Sequence, residues 1–272
     1  MTRYLALALL LFSSCLQAAI QEKTVDYRSG DTALKGYLVW DDAVAGKRPA
    51  VLVVHEWWGL NDYAKRRARM LAELGYTALA VDMYGDGKNT EHPEEAQGFM
   101  QAVLNGAGVA QQRFLAAKSL LEQEPTVDAG KIAAIGYCFG GATVLDMARQ
   151  GVDLAAVVSF HGNLVTQTPA AKGKVKARVL VLNGADDKFV TADSIAALKK
   201  EMKSAGARYR FVNYPGAKHS FTNPDADRIA QTTKLDIAYQ PEADRKSWDA
   251  MQALFRVAFG KPRAGHASKH PH

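Results

Sequence analysis

Short, continuously apolar segments alternate with segments of helical periodicity along most of this chain. The segment "PAVLVVHE" (49–56) is typical of a strand buried on both faces, because a half-exposed strand would alternate apolar and polar residues. In "NDYAKRRARMLAELG" (61–75) the apolar residues recur at helical spacing instead. Asn61 or Asp62 can cap this helix, and Gly75 can end it. The alternation predicts βαβ units and the α/β fold class, with a mostly parallel central sheet and helices on both faces.

The rest of the chain follows the same rhythm. An antiparallel hairpin is expected around "RSGDTA" (28–33), and the stretch 91–123 is polar at first and then helical. Apolar residues make up 48% of the chain, and no repeat or low-complexity linker divides it. We therefore predict one domain over residues 20–260, followed by a disordered tail over 261–272. Further strands are predicted at 23–27, 34–40, 76–84, 130–137, 154–161, 177–184 and 207–214, and further helices at 139–150, 191–205 and 241–259.

The first 19 residues have the pattern of a signal peptide. One positive charge precedes the apolar core "LALALLLF" (5–12), and "SSCLQAA" (13–19) supplies small residues for cleavage. The core is too short to span a bilayer, which needs about 20 residues. Cleavage after Ala18 or Ala19 and lipidation of Cys15 are both open. Either route predicts an exported protein, periplasmic or secreted in the first case and an envelope lipoprotein in the second.

The charge pattern argues against a nucleic-acid-binding protein. The net charge is +6, but no basic run is long or interleaved with aromatic residues. Three histidines in the tail could hold a metal loosely, although a frayed terminus without a role is the simpler interpretation. We predict a monomer with a small-molecule substrate, no metal and no organic cofactor. The tail histidines are His266, His270 and His272.

Cys138 occupies the centre of a motif between a predicted strand and a predicted helix. Gly136, Cys138 and Gly140 fit the pattern G-x-nucleophile-x-G, in which a strained turn projects a nucleophile above the sheet. Glycines flank the nucleophile because its backbone is crowded, and the amide of Phe139 can face a substrate oxyanion. Cys15 belongs to the signal, so Cys138 has no intramolecular partner. A buried structural cysteine is the alternative.

A thiol nucleophile needs a proton acceptor, and that acceptor needs a carboxylate to orient it. In this arrangement the acid follows the nucleophile along the chain and the histidine follows the acid. "LVLNGADDKFV" offers Asp186 or Asp187 after one strand, and "VNYPGAKHSF" offers His219 after the next. Carboxyl ends of parallel strands share one edge of the sheet, so we expect these groups to meet Cys138 there.

Two other histidines also follow predicted strands. His161 precedes the acid position, so we interpret it as a residue that packs in the core or supports a catalytic residue from behind. His55 and Glu56 do not form the zinc-protease pattern H-E-x-x-H, because Gly59 stands where the second histidine belongs.

Together these motifs resemble those of the dienelactone hydrolases, cysteine members of the α/β-hydrolase superfamily. The similarity covers nearly all of the chain after the signal. It implies an α/β-hydrolase fold and a triad of Cys138, Asp187 and His219, with Asp186 as the alternative acid. It rests on "VVHEWWGLN" (53–61), "GYTALAVDMYG" (75–85), "IGYCFGG" (135–141), "GADDKFV" (184–190) and "GAKHSF" (216–221).

The resemblance also implies roles for the residues after strand 49–56. Glu56 matches a glutamate beside the resting cysteine, where a carboxylate disfavours the thiolate and so guards the nucleophile. The amide of Trp57 would be the second oxyanion donor, together with that of Phe139. A surface carboxylate is the alternative for Glu56, and simple packing is the alternative for the tryptophans.

The match is weakest where a substrate carboxylate would bind. Family members that cleave dienelactones use arginines there, one after the "DMY" segment and one shortly after the histidine. This chain has Lys88 near the first position, and Thr222 and Asn223 near the second. A lysine does not reproduce the two parallel bonds of a guanidinium. We expect the substrate pocket to include Trp58, Tyr84, Lys88 and Asn223.

The sequence thus predicts an exported hydrolase that cleaves an ester or lactone through a Cys-His-Asp triad and an acyl-enzyme. The runner-up is a thioesterase or acyltransferase that uses the same site. A non-catalytic binding protein on a hydrolase scaffold is the alternative from another class, although the intact triad positions argue against it. A thiol redox protein is disfavoured because no C-x-x-C motif is present.

Overall fold

The computed structural model describes residues 20–260. The predicted signal peptide, the lipidation of Cys15, the disordered tail and the tail histidines all lie outside the described residues. Among residues 20–260, no helix is both long and apolar enough to cross a membrane.

One eight-stranded sheet forms the centre of the molecule, in the order β1-β2-β4-β3-β5-β6-β7-β8. The predicted hairpin is confirmed as β1 and β2, which are antiparallel, and β2 also runs antiparallel to β4. Every other neighbouring pair is parallel, so the predicted mostly parallel sheet is confirmed. The strands are β1 (Ile20–Ser29), β2 (Thr32–Asp41), β3 (Arg48–Val54), β4 (Thr77–Val81), β5 (Val127–Tyr137), β6 (Ala156–Phe160), β7 (Arg178–Gly184) and β8 (Tyr209–Tyr214).

The helices connect these strands, and three of the seven in residues 20–260 begin at a residue whose side chain caps them. Asn61 caps the first helix by accepting a hydrogen bond from the amide of Ala64. The stretch 91–123 forms two helices, and one short helix was not predicted. The helices are α1 (Asp62–Glu73), α2 (Pro93–Leu104), α3 (Val109–Gln123), α4 (Phe139–Arg149), α5 (Ala192–Ser204), α6 (Ala226–Thr233) and α7 (Pro241–Phe259), of which α6 is the unpredicted one.

Each face of the sheet has its own apolar core. Alternate residues of a strand point to opposite faces, so Leu52 packs in one core and Val53 in the other. Helices α1 and α7 cover the face of Val53, and α2 to α5 cover the face of Leu52. This double coverage explains why the parallel strands are continuously apolar.

The topology brings four loops to one edge of the sheet. Strands β3, β5, β7 and β8 are parallel and end at the same edge. Glu56, Cys138, Asp187 and His219 follow these four strands in that order. Residues distant in the sequence thus converge at the carboxyl ends of the strands, as the sequence predicts.

Candidate active site

Cys138 sits on a strained turn between β5 and α4. Its backbone has φ 52° and ψ −114°, a region that side chains rarely adopt. A Cβ at Gly136 would lie 2.1 Å from the carbonyl oxygen of Gly140, and a Cβ at Gly140 would lie 2.2 Å from that of Val54. The prediction that these two positions must lack side chains is confirmed. The crowded turn fixes the thiol at the start of a helix.

The positive end of α4 faces the thiol. Cys138 is the N-cap of this helix and Phe139 its first residue, so the first amides have no intrahelical acceptor. The amide of Gly140 is bonded to the carbonyl of His55 at 3.1 Å. Phe139 and Trp57 both line the cavity that contains Cys138, which is where oxyanion donors are needed.

Asp187 and His219 form a buried pair beside the thiol. The Nδ1 atom of His219 lies 2.8 Å from Oδ2 of Asp187, while Oδ1 of Asp187 accepts a hydrogen bond from the amide of Phe189 at 2.9 Å. Both side chains are nearly inaccessible, whereas Asp186 is exposed. Of the two candidate acids, Asp187 is therefore the one in contact with the histidine.

The electrostatics of this group favour a charged histidine. Burial lowers the pKa of His219, but the negative charge of a Cys138 thiolate and the hydrogen bond with Asp187 outweigh it and raise the pKa to about 10. His219 also forms a hydrogen bond with Cys138. A protonated His219 therefore lies beside Cys138, so the site contains a proton donor for a leaving group.

Glu56 lies beneath the histidine loop and is almost completely buried. Its carboxylate accepts hydrogen bonds from Oγ of Ser220 at 3.0 Å and from Nδ2 of Asn223 at 2.7 Å. Burial raises the pKa of Glu56, and these two bonds partly oppose that effect. The alternative of a surface carboxylate is thus wrong. Ser220 was not predicted to contact Glu56. The one signal for this role in the sequence is that Ser220 directly follows the predicted base, His219.

His161 contacts the backbone of Cys138, which agrees with the supporting role that was one of its two expected roles. Its Nδ1 atom accepts a hydrogen bond from the amide of Cys138 at 3.1 Å, and its Nε2 atom lies 2.8 Å from Oγ1 of Thr222. Its pKa lies well below the usual value because of burial, reinforced by the charges of His219 and Arg67. A neutral imidazole suits both bonds. The one available signal is that His161 directly follows β6, the strand next to β5, after which Cys138 lies.

The thiol opens into a cavity of about 440 Å³. The walls are mostly apolar. Trp57 and Trp58 form one side, with ring centroids 4.8 Å apart, as the sequence analysis expected of Trp58. Other lining residues include Cys138, Phe139, His219, Ser220, Phe189, Leu235 and Ile237.

Three of the four residues predicted for the pocket lie elsewhere. Tyr84 is buried behind the wall, where its hydroxyl donates to the carbonyl of Trp57 at 3.0 Å. Lys88 is exposed and is not among the residues that line the cavity. Asn223 is buried and bonded to Glu56 instead. Residues close in sequence to the site can thus contact its residues from behind the cavity wall, as Tyr84 and Asn223 do, or lie away from it, as Lys88 does.

Solved structures and curated proteins similar to this chain share its architecture. The dienelactone hydrolase-like promiscuous phosphotriesterase P91, obtained from metagenomic libraries, is 39% identical and superposes with a TM-score of 0.84, covering 89% of this chain and all of that one. A dienelactone hydrolase of Anabaena variabilis shares the fold at 24% identity, with a TM-score of 0.60 over 86% of this chain and 98% of that one. The protein named "Putative carboxymethylenebutenolidase" of Methylorubrum extorquens is 29% identical over 79% of this chain and 74% of its own length.

The match to a whole family agrees with the arrangement of the site. The family described as "Dienelactone hydrolase family" matches residues 34–259, which is nearly all of the domain described above. The eight-stranded sheet and its nucleophile turn have the α/β-hydrolase architecture that the sequence predicted. The chain therefore belongs to the dienelactone hydrolase family and is a hydrolase that acts on an ester or lactone.

Proposed function

We propose that Cys138, His219 and Asp187 cleave an ester or lactone through an acyl-enzyme. The observation that carries this proposal is the contact of His219 with both Asp187, at 2.8 Å, and Cys138, at the wall of one apolar cavity. Nucleophile, base and orienting acid in mutual contact are the signature of covalent acyl transfer.

In the first half-reaction the Cys138 thiolate attacks the carbonyl carbon. The carbonyl oxygen becomes an oxyanion, which the amides of Phe139 and Trp57 stabilise by hydrogen bonds. The imidazolium of His219 then donates its Nε2 proton to the leaving alkoxide, and the bond from carbon to that oxygen breaks. Asp187 holds the imidazole in the required orientation throughout.

In the second half-reaction water resolves the thioester. Acylation removes the thiolate charge, which is the main influence that raises the pKa of His219. The pKa of this histidine therefore falls once the acyl-enzyme forms, and the neutral imidazole can take a proton from water. The same residue thus acts as an acid in the first step and as a base in the second.

The cavity favours neutral substrates over carboxylate-bearing ones. Among residues 20–260, no lysine or arginine lines it, and Lys88 is exposed outside it. Buried carboxylates without a partner are costly, and charge-assisted bonds to a guanidinium would normally offset that cost. Neutral esters or lactones are therefore the better substrates than dienelactone carboxylates.

A substrate panel tests this function. Purified protein should hydrolyse a neutral aryl acetate with a higher kcat/KM than a dienelactone carboxylate, after correction for their intrinsic reactivities. Cys138→Ala should abolish both activities while the far-ultraviolet circular dichroism stays unchanged. Full activity in Cys138→Ala would refute the mechanism, and no activity on any ester, lactone or thioester would favour a binding protein.

An aryl thioester belongs in the same panel. A thioesterase or acyltransferase would use the same acyl-enzyme with a different donor or acceptor. Much faster turnover of the thioester than of the matched oxygen ester, or transfer to an added alcohol, would favour that alternative.

Phosphotriester cleavage is a second candidate activity. It is favoured by the 39% identity with a protein described as a promiscuous phosphotriesterase, and by a cavity that no lysine or arginine of residues 20–260 lines, which suits a neutral triester. The thiolate would displace an aryl oxide from phosphorus, and water would then release the phosphoryl group. Release of aryl oxide from a neutral dialkyl aryl phosphate, absent in Cys138→Ala, would support this activity.

Export is the remaining part of the proposal. It rests on the charged start, apolar core and small residues of the first 19 positions. N-terminal sequencing or intact mass of the protein from its native envelope should give a start near residue 19 or 20, or a lipidated Cys15. Retention of Met1 in a cytoplasmic fraction would refute export.

A further inference from the structure

The cavity runs along one side of helix α4, away from the nucleophile. Within this helix every residue is buried except Ala142 and Asp146. These two residues and the caps Cys138 and Gln150 are spaced four residues apart, so they form one row on the helix surface. All four line the cavity.

The spacing of the row along α4 shows how far the cavity extends from Cys138. A helix rises 1.5 Å per residue, so Asp146 lies about 12 Å from Cys138 along the axis, and Gln150 about 18 Å. The opposite wall is apolar and comes from helices α2 and α3. It consists of Met100, Leu104 and Ala110.

The character of the lining changes along this row. Trp57, Trp58 and Phe139 line the cavity with Cys138, whereas the polar members of the row, Asp146 and Gln150, line it two and three helical turns away from the thiol. The Asp146 side chain remains 39% exposed, although Arg149 donates to its Oδ1 atom at 2.8 Å. Thr166 also forms a hydrogen bond with this carboxylate. A carboxylate has about four acceptor positions, so Asp146 retains acceptor capacity toward the cavity.

The charge at the far end is negative. Arg149 also donates two hydrogen bonds to Glu201, at 3.0 and 3.1 Å, and one to the carbonyl of Leu164 at 2.9 Å. One guanidinium thus faces two carboxylates, Asp146 and Glu201. A group that reaches Asp146 meets an acceptor with net negative charge and no compensating cation in the lining.

We propose that Asp146 is a specificity-determining residue that binds a hydrogen-bond donor, a hydroxyl or an ammonium group, on an extended ester whose carbonyl lies at Cys138. This inference rests on the proposed ester hydrolysis and adds the substrate class. The enzyme then selects an elongated apolar substrate with a polar, uncharged or cationic far end, and it rejects one with a carboxylate there.

Four aryl esters that differ only in their chain end test the proposal. The alkyl chain of each ester has about eight carbon atoms. This length spans the 12 Å between Cys138 and Asp146 along the helix axis, less the reach of the Asp146 side chain. It ends in methyl, hydroxyl, ammonium or carboxylate, and it is placed once on the acyl side and once on the alcohol side. In one of the two series we expect kcat/KM for the hydroxyl and ammonium ends to exceed that of the methyl end by roughly tenfold, the scale of one charge-assisted hydrogen bond. The carboxylate end should be the poorest.

Variants separate recognition from general damage. Asp146→Leu should remove the preference and make the methyl end the best, while Asp146→Asn should keep the hydroxyl preference and lose that for ammonium. Asp153→Asn is the matched control, because Asp153 is exposed just beyond the same helix and does not line the cavity. Asp153→Asn should cleave the short aryl acetate at the wild-type rate. Because that acetate cannot reach Asp146, its turnover by the Asp146 variants measures general damage, and each chain-end preference is expressed relative to it.

The outcomes are distinct from those that test the hydrolysis itself. Equal kcat/KM for all four chain ends in both series, or a donor preference that survives in Asp146→Leu, would overturn the proposal even though the short acetate is cleaved. If no ester is cleaved, calorimetric binding of the same chains to Cys138→Ala still reports the preference. Failure of hydrolysis and failure of recognition are therefore separate results.

Discussion

The Nδ1 atom of His161 accepts a hydrogen bond from the backbone amide of Cys138 at 3.1 Å, so a histidine other than His219 contacts the backbone of the proposed nucleophile. The same amide also donates to the carbonyl of Phe160 at 3.0 Å. Without the His161 side chain, the amide of Cys138 would therefore still donate to the carbonyl of Phe160, but its N–H would point in a different direction. Both acceptors thus bind the amide of a residue whose backbone is strained at φ 52°.

Replacement of His161 should slow the chemistry more than it weakens binding. We expect His161→Leu to lower kcat by roughly tenfold, the equivalent of one hydrogen bond, with little change in KM. His161→Asn should be milder, because its Oδ1 atom can replace Nδ1 as the acceptor. Steady-state kinetics and thermal melts of both variants check this, and a rise in KM alone would argue for a role in substrate binding instead.

The raised pKa of His219 should depend on the thiol. Removal of the Cys138 charge leaves burial, which lowers the pKa, opposed mainly by Asp187. In Cys138→Ala we expect the pKa of His219 to fall from about 10 by roughly 1–3 units, the effect of one nearby opposite charge. Titration of the imidazole by nuclear magnetic resonance measures this directly. An unchanged pKa would mean that no ion pair joins His219 and Cys138 in the resting enzyme.

Asp187 and its neighbour Asp186 offer a controlled comparison. Asp187→Asn should lower kcat by up to about 10⁴-fold, as a lost orienting acid does in serine triads, because the histidine then favours the wrong tautomer. Asp186→Asn should be nearly silent, since Asp186 is exposed. Kinetics of the two purified variants decide the matter, and a greater loss in Asp186→Asn would show that the acid is misassigned.

Much of this site was predictable because each residue follows a strand with a recognisable pattern. Cys138 and Asp187 come after strands with continuous apolar runs, and His219 comes after the mixed strand β8. Parallel strands that end together must bring these residues to one edge. Helix α6 was missed because its eight residues are largely polar and its N-cap Asp225 forms no side-chain capping bond. Lys88 and Asn223 were misplaced because loop backbones, rather than sequence proximity, decide where their side chains lie.

The role of Asp146 was out of reach of the sequence for a related reason. Helix α4 has apolar residues around most of its circumference, so its pattern does not reveal which row remains open. That row is left uncovered by the placement of α2 and α3, which depends on tertiary packing. Periodicity predicts that a helix is buried but not where a cavity interrupts its burial.

The proposed role of Glu56, which is to disfavour the thiolate of Cys138 until substrate binds, can be tested directly. Its carboxylate is held by Ser220 and Asn223, and burial raises its pKa. If an ionised Glu56 disfavours the thiolate, Glu56→Gln should be alkylated faster at Cys138 than the wild type, and the difference should grow as the pH rises through the raised pKa of Glu56. Stopped-flow alkylation with iodoacetamide, with Glu22→Gln as a remote control, measures it. Equal rates at every pH would remove the guard from the mechanism.

The glycine after the nucleophile turn should tolerate no side chain. A Cβ at Gly140 would lie 2.2 Å from the carbonyl oxygen of Val54 and 2.6 Å from that of His55, and neither backbone atom can move without disturbing β3 or the site. The bond from the amide of Gly140 to His55 would also break. We expect Gly140→Ala to lower the free energy of unfolding by about 3 kcal/mol, the upper end of the cost of overpacking, and to abolish turnover.

Gly98→Ala is the control, because Gly98 is exposed within α2 with open space at its Cβ position. Alanine there should stabilise the helix by about 1 kcal/mol. Urea unfolding of both variants gives the two values, and a Gly140→Ala protein as stable as the wild type would show that α4 does not approach β3 as closely as described.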